Sequence, residues 1–312
     1  MKNVRFLGTI ASIKDLYLYA FNSAPLFFSL IGGYWLLIEF SSFLFPGTQE
    51  FFKQYGYLGI PTAAVLSLWL CRPLSLIAMH LQNRDVKIEI KIGDFFSTKH
   101  DYIIASTTSF DTSLENGTVS KDTLLGNLII RYFSNNLTLL NQQIESSLEG
   151  ERYVSLPLDW IGNKKKYNIG TVAKISMNNS NCYLVGINNK NKYGNVDAHD
   201  SGFEDVKVAL AQTWEFIGTR GDLHPLSIAL LGTGRGRVKE KRIEVAKEII
   251  KSFIAANSSS RFTNKLTIVI HPNDVRYNID VHELVEYLHY QCKYTQFSST
   301  GNTSNFPASQ AI

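Results

Sequence analysis

Apolar residues are distributed unevenly along the chain. They crowd the first 80 positions and then settle into short alternating or periodic runs. From Ala24 to Phe45 the sequence reads APLFFSLIGGYWLLIEFSSFLF, with Glu39 as its only formal charge. At about 1.5 Å per helical residue, such a run can cross about 30 Å of hydrocarbon. A signal peptide would have a shorter apolar core and a small-residue cleavage site, and neither fits here. A second run, YGYLGIPTAAVLSLWLC, covers Tyr55 to Cys71 and meets Arg72-Pro73. Either Arg72 flanks this span at the interface, or the helix continues through LSLIAMHL to Leu81 with Arg72 snorkelling. The expectation is a two-helix transmembrane hairpin in residues 1–82, with spans at about 24–45 and 55–79. Pro61 lies inside the second span and would kink it. The rival reading, a buried pair of core helices, lacks anything nearby to cover so much apolar surface.

Basic flanks set the orientation. Lys2, Arg5 and Lys14 precede the first span, and Arg72, Arg84 and Lys87 follow the second. Between the spans only Lys53 is basic, offset by Glu50. The positive-inside rule then puts both termini and the large domain of a multi-pass membrane protein in the cytosol. Glu39 falls roughly 9 Å from the outer end of its helix and far from Arg72. It would contact another protomer or a water-filled path, or else reach the headgroups or sit protonated. Gly32-Gly33 would permit close helix approach.

Beyond residue 82 the pattern changes. VKIEIKI (Val86 to Ile92) alternates and ends at Gly93-Asp94, a strand and a turn. YIIAS (Tyr102 to Ser106) is a short buried strand, followed by a long polar stretch from Thr107 to Gly126. A helix is predicted from about Lys121 to Leu148, with Leu124, Leu125, Leu128, Ile129 and Tyr132 apolar. TVAKISM and CYLVGI form an antiparallel pair about a turn at Asn178–Asn181. A helix over Gly202 to Thr219 carries Val206, Leu210, Trp214 and Ile217 on one face. Next come a strand at Leu226–Gly232, a helix from about Val238 to Ala256, a strand at Leu266–Ile270 and a helix over Asp280–Gln291. This alternation predicts one α/β domain, residues 83–294, with a mixed sheet between helix layers. The segment 295–312, rich in Ser, Thr, Asn and Gln, is expected to be disordered.

Charge and cysteine usage narrow the function. The net charge of +4 is spread along the chain, so nucleic acid is not an expected partner. The run Lys164-Lys165-Lys166 reads as a solvated loop tip. Cys71, Cys182 and Cys292 are far apart and odd in number, which fits a reducing compartment rather than a disulfide scaffold or a zinc site. His282 and His289 read as a helix-surface pair. No catalytic set, metal site or cofactor is assigned.

The strongest binding signal is LLGTGRGR, Leu230 to Arg237, placed after a strand and before a helix. Gly232, Gly234 and Gly236 let backbone N–H groups approach a ligand, and the helix end adds positive potential. A diphosphate suits it, with Arg235 or Arg237 as charge partners. The spacing is neither a Walker A loop nor a dinucleotide fingerprint, and a plain glycine-rich turn is the alternative. The loop from Thr107 to Gly126 would gather at the same sheet edge, with Gly117 supplying further backbone donors. Asp94 can accept from an exocyclic amine such as adenine N6, or can merely cap a turn.

Gly93-Asp94, the Ile103-Ile104 strand, the Gly232–Gly236 loop and the last strand-helix unit occur in the order seen in macro domains, which bind ADP-ribose. The chain resembles more closely still the ThsA-like Thoeris antiphage effectors of the transmembrane–macro type. That resemblance covers nearly the whole chain: two N-terminal spans, IKIGD, the loop SFDTSLENGTVSKDTLLG, and LLGTGRGR. It implies a macro-like three-layer α/β/α domain in which Asp94 binds adenine. Gly232, Thr233, Gly234, Arg235 and Gly236 would cradle the diphosphate, and His271 would lie near the adenine or its ribose. Ordinary macro domains carry Asn-Ala-Ala-Asn and a triple glycine where Ser106-Thr107-Thr108-Ser109 stands here. That departure favours a sensor over a hydrolase. The resemblance further implies a homo-oligomeric membrane effector, with lipids as partners. Its signal would be an ADP-ribose derivative, such as ADP-ribose joined to histidine, made from NAD by a TIR-domain protein. A membrane-anchored ADP-ribosyl hydrolase and a scaffold with a degenerate pocket are the alternatives.

Overall fold

A computed structural model of the chain describes residues 13–45, 47–72, 75–82, 84–134, 136–196, 202–233, 240–277 and 279–294. The expected disordered tail lies outside them. Helix α1 (Ile13–Leu44) opens the fold, and α2 (Thr48–Tyr55) leads through a short 3-10 turn into α3 (Gly59–Leu70). Tyr34 Oη donates to the Gly56 carbonyl at 3.2 Å, and Tyr19 Oη donates to the Leu68 carbonyl. The second arm therefore runs back antiparallel along α1. Small side chains let the helices approach: Ser23, Ala63 and Ser67 are buried. A Cβ at Gly59 would run into the Tyr34 ring, whereas Gly32 and Gly33 have nothing within 4 Å of one. Within the hairpin the close approach is thus made by Gly59. Glu39 is exposed near the end of α1.

Among the described helices, Tyr19–Leu44 is the one long and apolar enough to cross a membrane. The second span, expected to reach residue 79, stops at Leu70, where α3 ends after 12 residues. Residues Leu76–His80 are a strand, β1, antiparallel to β2 (Lys87–Ile92). The reason is periodicity. Ile77 and Met79 pack on the core while Leu76, Ala78 and His80 face outward, so this apolar stretch has period two. A hydropathy average cannot tell that from a helix end.

The remaining elements are β3 (Asp101–Thr107), α4 (Leu124–Tyr132), α5 (Leu137–Ser147), β4 (Tyr153–Ser155), β5 (Lys165–Tyr167), β6 (Val172–Ser176), β7 (Asn181–Asn188), α6 (Phe203–Arg220), β8 (Leu226–Ile228), α7 (Arg242–Ser259), β9 (Lys265–Ile270), α8 (Pro272–Tyr277) and α9 (Val281–Tyr294). Seven strands form one mixed sheet in the order β1-β2-β9-β8-β3-β7-β6. Strands β2, β9, β8, β3 and β7 are parallel, and the two edge strands are antiparallel. One face packs on α6, α7 and α9, around Trp214, Phe253 and Phe262. The other packs on α4 and α5 through Leu128, Ile129, Leu140 and Ile144. This is the three-layer α/β/α domain that the pattern predicts. Val206, Leu210, Trp214 and Ile217 of α6 are all buried, as their spacing requires.

Several boundaries differ from expectation. The single helix over 121–148 is two helices, because Asn136 caps α5 by accepting from Leu139 N at 3.1 Å. Strand β8 ends at Ile228, and α7 begins at Arg242. The β4–β5 hairpin and α8 carry no clear periodicity and were not predicted.

Candidate ligand-binding site

The five parallel strands end on one rim, the position where open α/β sheets form their ligand crevice. A cavity of about 1270 Å³ opens there. It exceeds the roughly 300–1,000 Å³ of most small-molecule sites.

The β2 end contributes Gly93, Asp94, Phe95 and Phe96. Gly93 has φ +152°, a conformation favouring glycine, and its N–H donates to the Ile270 carbonyl at 3.1 Å. Asp94 accepts from Phe96 N at 3.4 Å and pairs with Arg131 of α4 at 3.2 Å. The Arg131 guanidinium also lies over the Phe96 ring, 4.9 Å from its centroid. Asp94 is therefore both a turn cap and an exposed carboxylate at the cavity wall.

The β3–α4 loop forms the next wall. Gly117 has φ +72°, and Thr123 caps α4 by accepting from Gly126 N at 3.0 Å. Thr123, Leu124 and Leu125 present the N-terminus of α4 to the cavity. Across from it, the β8 end turns through Leu230, Leu231 and Gly232, the last at φ +72°. Thr233 Oγ1 donates back to the Leu230 carbonyl at 2.9 Å. Arg242, at the start of α7, donates to the Thr233 carbonyl at 3.1 Å and pairs with Asp274 of α8. It ties the glycine turn to its neighbour. Gly234, Arg235, Gly236 and Arg237 lie outside the described residues. His271, at the β9 end, accepts from Asn273 N at 3.2 Å through Nδ1, which starts α8.

The β7 end is lined by Asn188, Asn191 and Asn195 with Ser106, Thr107 and Asp111. Behind it lies a buried ion pair. Lys190 Nζ donates to the Asp111 oxygens at 3.0 and 2.9 Å and to the carbonyls of Ile161 and Asn163 at 3.0 Å each. Asp111 also accepts from Asn163 N at 2.7 Å and Ser109 Oγ at 2.6 Å. The pair is fully ligated by protein, as a buried charge must be.

Of the residues singled out in the sequence, Asp94, Gly117, Gly232, Thr233 and His271 line this one cavity. Sequence reasoning missed Arg131, Arg242, the Asp111–Lys190 pair and the asparagine wall. Arg242 could have been suspected as the next arginine after the glycine loop. Nothing in NNKNKYGN marks Asn188.

The opposite end of the sheet holds Asp101, Asp222 and His224, close enough to share a cation. They are occupied otherwise. Lys174 binds Asp222 at 2.7 Å and holds its carboxyl below the usual range, while Asn181 N donates to Asp101 at 2.8 Å. All three cysteines are free, and burial pushes the Cys292 thiol up to about 11.

Fold and site together define a macro-type α/β domain with a ligand crevice, joined to an N-terminal apolar helical hairpin. A family model described as "Thoeris protein ThsA, Macro domain" matches residues 88–271, more than half of the chain, which therefore belongs to that family. It is 26% identical over 210 residues to Thoeris protein ThsA of Bacillus amyloliquefaciens (strain Y2), covering 64% of this chain and 67% of that one. Among solved structures, the Oceanobacillus iheyensis macrodomain with MES bound gives a TM-score of 0.47 at 14% identity, covering 69% of this chain and 99% of its own. The same macrodomain with ADP gives 0.46 at 13% identity, covering 69% and 98%.

Proposed function

We propose that this chain is the membrane effector of a Thoeris antiphage system, whose macro-like domain senses an ADP-ribose-derived signal made by a TIR-domain protein. The observation that carries this reading is the cavity. In a chain of the ThsA macro family, it brings Asp94, the N-terminus of α4 and the Gly232 turn to one rim. The spacing of a carboxylate and a glycine turn suits the adenine and diphosphate ends of one nucleotide. In chemical terms the proposed signal is ADP-ribose joined to an amino acid such as histidine.

The protein acts as a sensor rather than an enzyme in this reading. Asp94, Asp111 and Asp274 at the cavity are held by Arg131, Lys190 and Arg242, which leaves these carboxylates poorly placed as bases. The hairpin supports a membrane location. Phe28, Trp35, Leu36, Leu37 and Phe40 are exposed, whereas Ser23, Ala63 and Ser67 are buried between the helices. With the domain cytosolic, binding would drive homo-oligomeric rearrangement of the helices and breach the inner membrane. The ligand must prefer the rearranged state, because equal affinity for both states shifts nothing.

Calorimetric titration of the detergent-solubilised chain with ADP-ribose and its amino-acid conjugates tests the sensing step. Binding that disappears in Gly232→Glu is expected, since the new carboxylate meets the diphosphate. Absence of binding in the parent chain refutes the reading. Dye leakage from proteoliposomes on adding signal tests the effector step, and intact vesicles at saturating signal refute it. Release of ADP-ribose from a modified protein would instead establish the hydrolase.

A further inference from the structure

The two edges of the main sheet are finished differently. At the β6 edge, the backbones of Lys174 and Ser176 point away from β7, and α5 occupies them. Ser147 Oγ accepts from Lys174 N at 2.8 Å, and Gln143 Oε1 accepts from Ser176 N at 2.7 Å. At the β1 edge, Ile92 N donates to the Ser75 carbonyl at 2.8 Å and Leu81 N to the Val86 carbonyl at 2.9 Å. In the antiparallel register these bonds aim Ile77 and Met79 at β2 and leave Leu76, Ala78 and His80 aimed outward. The N–H and C=O groups of these three have no hydrogen-bond partner among the described residues, and all three residues are exposed. Exposed edges are normally blunted by proline, charge or a bulge. The β1 sequence LIAMH carries no proline and no formal charge, and its register on β2 is unbroken.

We infer that β1 is an interface with a second copy of this chain, paired antiparallel and edge to edge so that the two sheets become one. The inference rests on the membrane half of the proposed function and does not depend on what the cavity binds. Self-pairing fixes the register. All the outward groups exchange bonds only when Ala78 meets Ala78 of the second copy and Leu76 meets its His80. The smallest side chain then lies at the two-fold axis, and no two formal charges face each other.

The anchor argues for this occupant. Residues 71–75 alone separate the end of α3 at Leu70 from Leu76, and such a linker reaches at most about 18 Å. Copies held by their hairpins in one bilayer meet at an effective concentration of millimolar order. A short edge therefore suffices where free subunits would need a larger interface. In the paired register the two Leu76 positions are about 14 Å apart along the strands. The linkers span that gap, so pairing lets the hairpins approach to the roughly 8–10 Å at which helices pack.

Disulfide trapping of the full chain in phosphatidylethanolamine–phosphatidylglycerol vesicles, without nucleotide, tests the interface. A Cys71→Ser background removes the partly exposed thiol. Ala78→Cys would set two thiols at the axis with Cα atoms about 5.5 Å apart, within disulfide range. Mild oxidation should then yield roughly tenfold more covalent dimer than Lys91→Cys, one strand further in and out of that range. Leu76→Cys should link to His80→Cys in mixed vesicles and not to itself. Ala78→Pro removes only an outward N–H, so it should cut that mixed crosslink about tenfold and leave the Tm unmoved. Equal crosslinking at Lys91→Cys, Leu76→Cys linking to itself as readily, or a crosslink insensitive to Ala78→Pro would overturn the interface. So would an absence of crosslinks in the full chain. Crosslinks that appear only after deletion of residues 295–312 would make the chain's own tail the occupant and overturn it too. Failure of the parent chain to stay in carbonate-washed vesicles removes the membrane reading along with the interface. Retention without crosslinks removes the interface alone.

Discussion

The helical hairpin and the α/β domain are packed by opposite rules. In the domain the largest side chains are innermost: Trp214, Phe253 and Tyr183 are buried, and charged residues lie outside or in pairs. In the hairpin the largest are outermost. Phe28 and Trp35 are 68% and 64% exposed, while Ser23 and Ser67 are buried at 4% and 2%. Ser23 and Ser67 hydroxyls donate within their own helices at 2.8 and 2.9 Å, so they add no polarity to the contact. Water favours the first arrangement through the hydrophobic effect. Hydrocarbon removes that driving force and leaves close packing of small residues as the attraction between helices. The domain has the interior that water selects, and the hairpin has the exposed apolar surface and small-residue contact that hydrocarbon would select.

The sharpest way to break this comparison is to truncate a large residue in each region. Phe253 contacts Trp214 and Phe262 edge-on, with centroids 5.5 and 5.8 Å away. Phe253→Ala should cost about 3–5 kcal/mol of domain stability. Trp35→Ala should change it by less than about 0.5 kcal/mol, as for a residue without a packed environment. Guanidinium unfolding of the detergent-solubilised chain, followed by circular dichroism, measures both. Comparable losses would mean that α1 is a core helix of the domain.

Buried charge gives the second contrast. Lys190→Met leaves the Asp111 carboxylate, 3% exposed, without its counter-ion, which should cost about 3–5 kcal/mol. Adding Asp111→Leu should recover part of that loss, because the stranded charge is gone. Glu39 has no such partner among the described residues and is exposed. Glu39→Gln should leave the domain's unfolding midpoint unmoved. A double variant no more stable than Lys190→Met alone would assign the loss to packing instead.

Within the hairpin, two glycines should behave differently. Gly59→Leu forces a side chain against the Tyr34 ring and should lower helix-pair stability by about 1–3 kcal/mol. Gly32→Leu meets open space and should cost little. Thermal loss of helical signal at 222 nm reports the difference, and equal effects would remove Gly59 from the helix contact.

The same two rules explain what was legible in the sequence. Strands with both faces covered, such as LTIVI, and helices with one apolar face, such as α6, announce themselves through period and burial. Gly93-Asp94 and Gly232 stand out because a turn at a strand end needs residues that tolerate unusual backbone or cap it. Strand β1 was hidden because its apolar content continued that of α3 across Cys71–Ser75. The asparagine wall was hidden for a different reason. Asn188 reaches the cavity wall through a bulge that depends on long-range pairing of β3 with β7. The Arg131 contact with Asp94 likewise joins positions 37 residues apart. Local pattern gives the elements, and tertiary contact assembles the site.

The smallest expected effect concerns pH, and again separates the two regions. His100 packs against Ser227 Oγ at 3.0 Å and Thr267 Oγ1 at 3.5 Å, facing the charges of Lys265, Lys91, Glu89 and Asp101. Burial, aided by the nearby Lys265, lowers its pKa below 6.5. Glu89 shifts the same way: burial opposes ionisation, but Lys87 and Lys265 outweigh it and hold the carboxyl below 4.5. Both folded-state values are depressed, so the unfolded chain takes up each proton first, and stability falls as pH drops. The decline should begin below about pH 6.5 from His100 and steepen below about 4.5 from Glu89. His100→Asn should abolish the upper window alone, and Glu89→Gln the lower. Denaturation midpoints at pH 7.5, 6.0, 5.0 and 4.0, on the order of these steps, separate the two windows. An unchanged decline between pH 6.5 and 5 in His100→Asn would transfer that window to another group. The Gly59→Leu effect should be the same at every one of these pH values, because the new side chain meets the Tyr34 ring rather than a carboxylate or an imidazole.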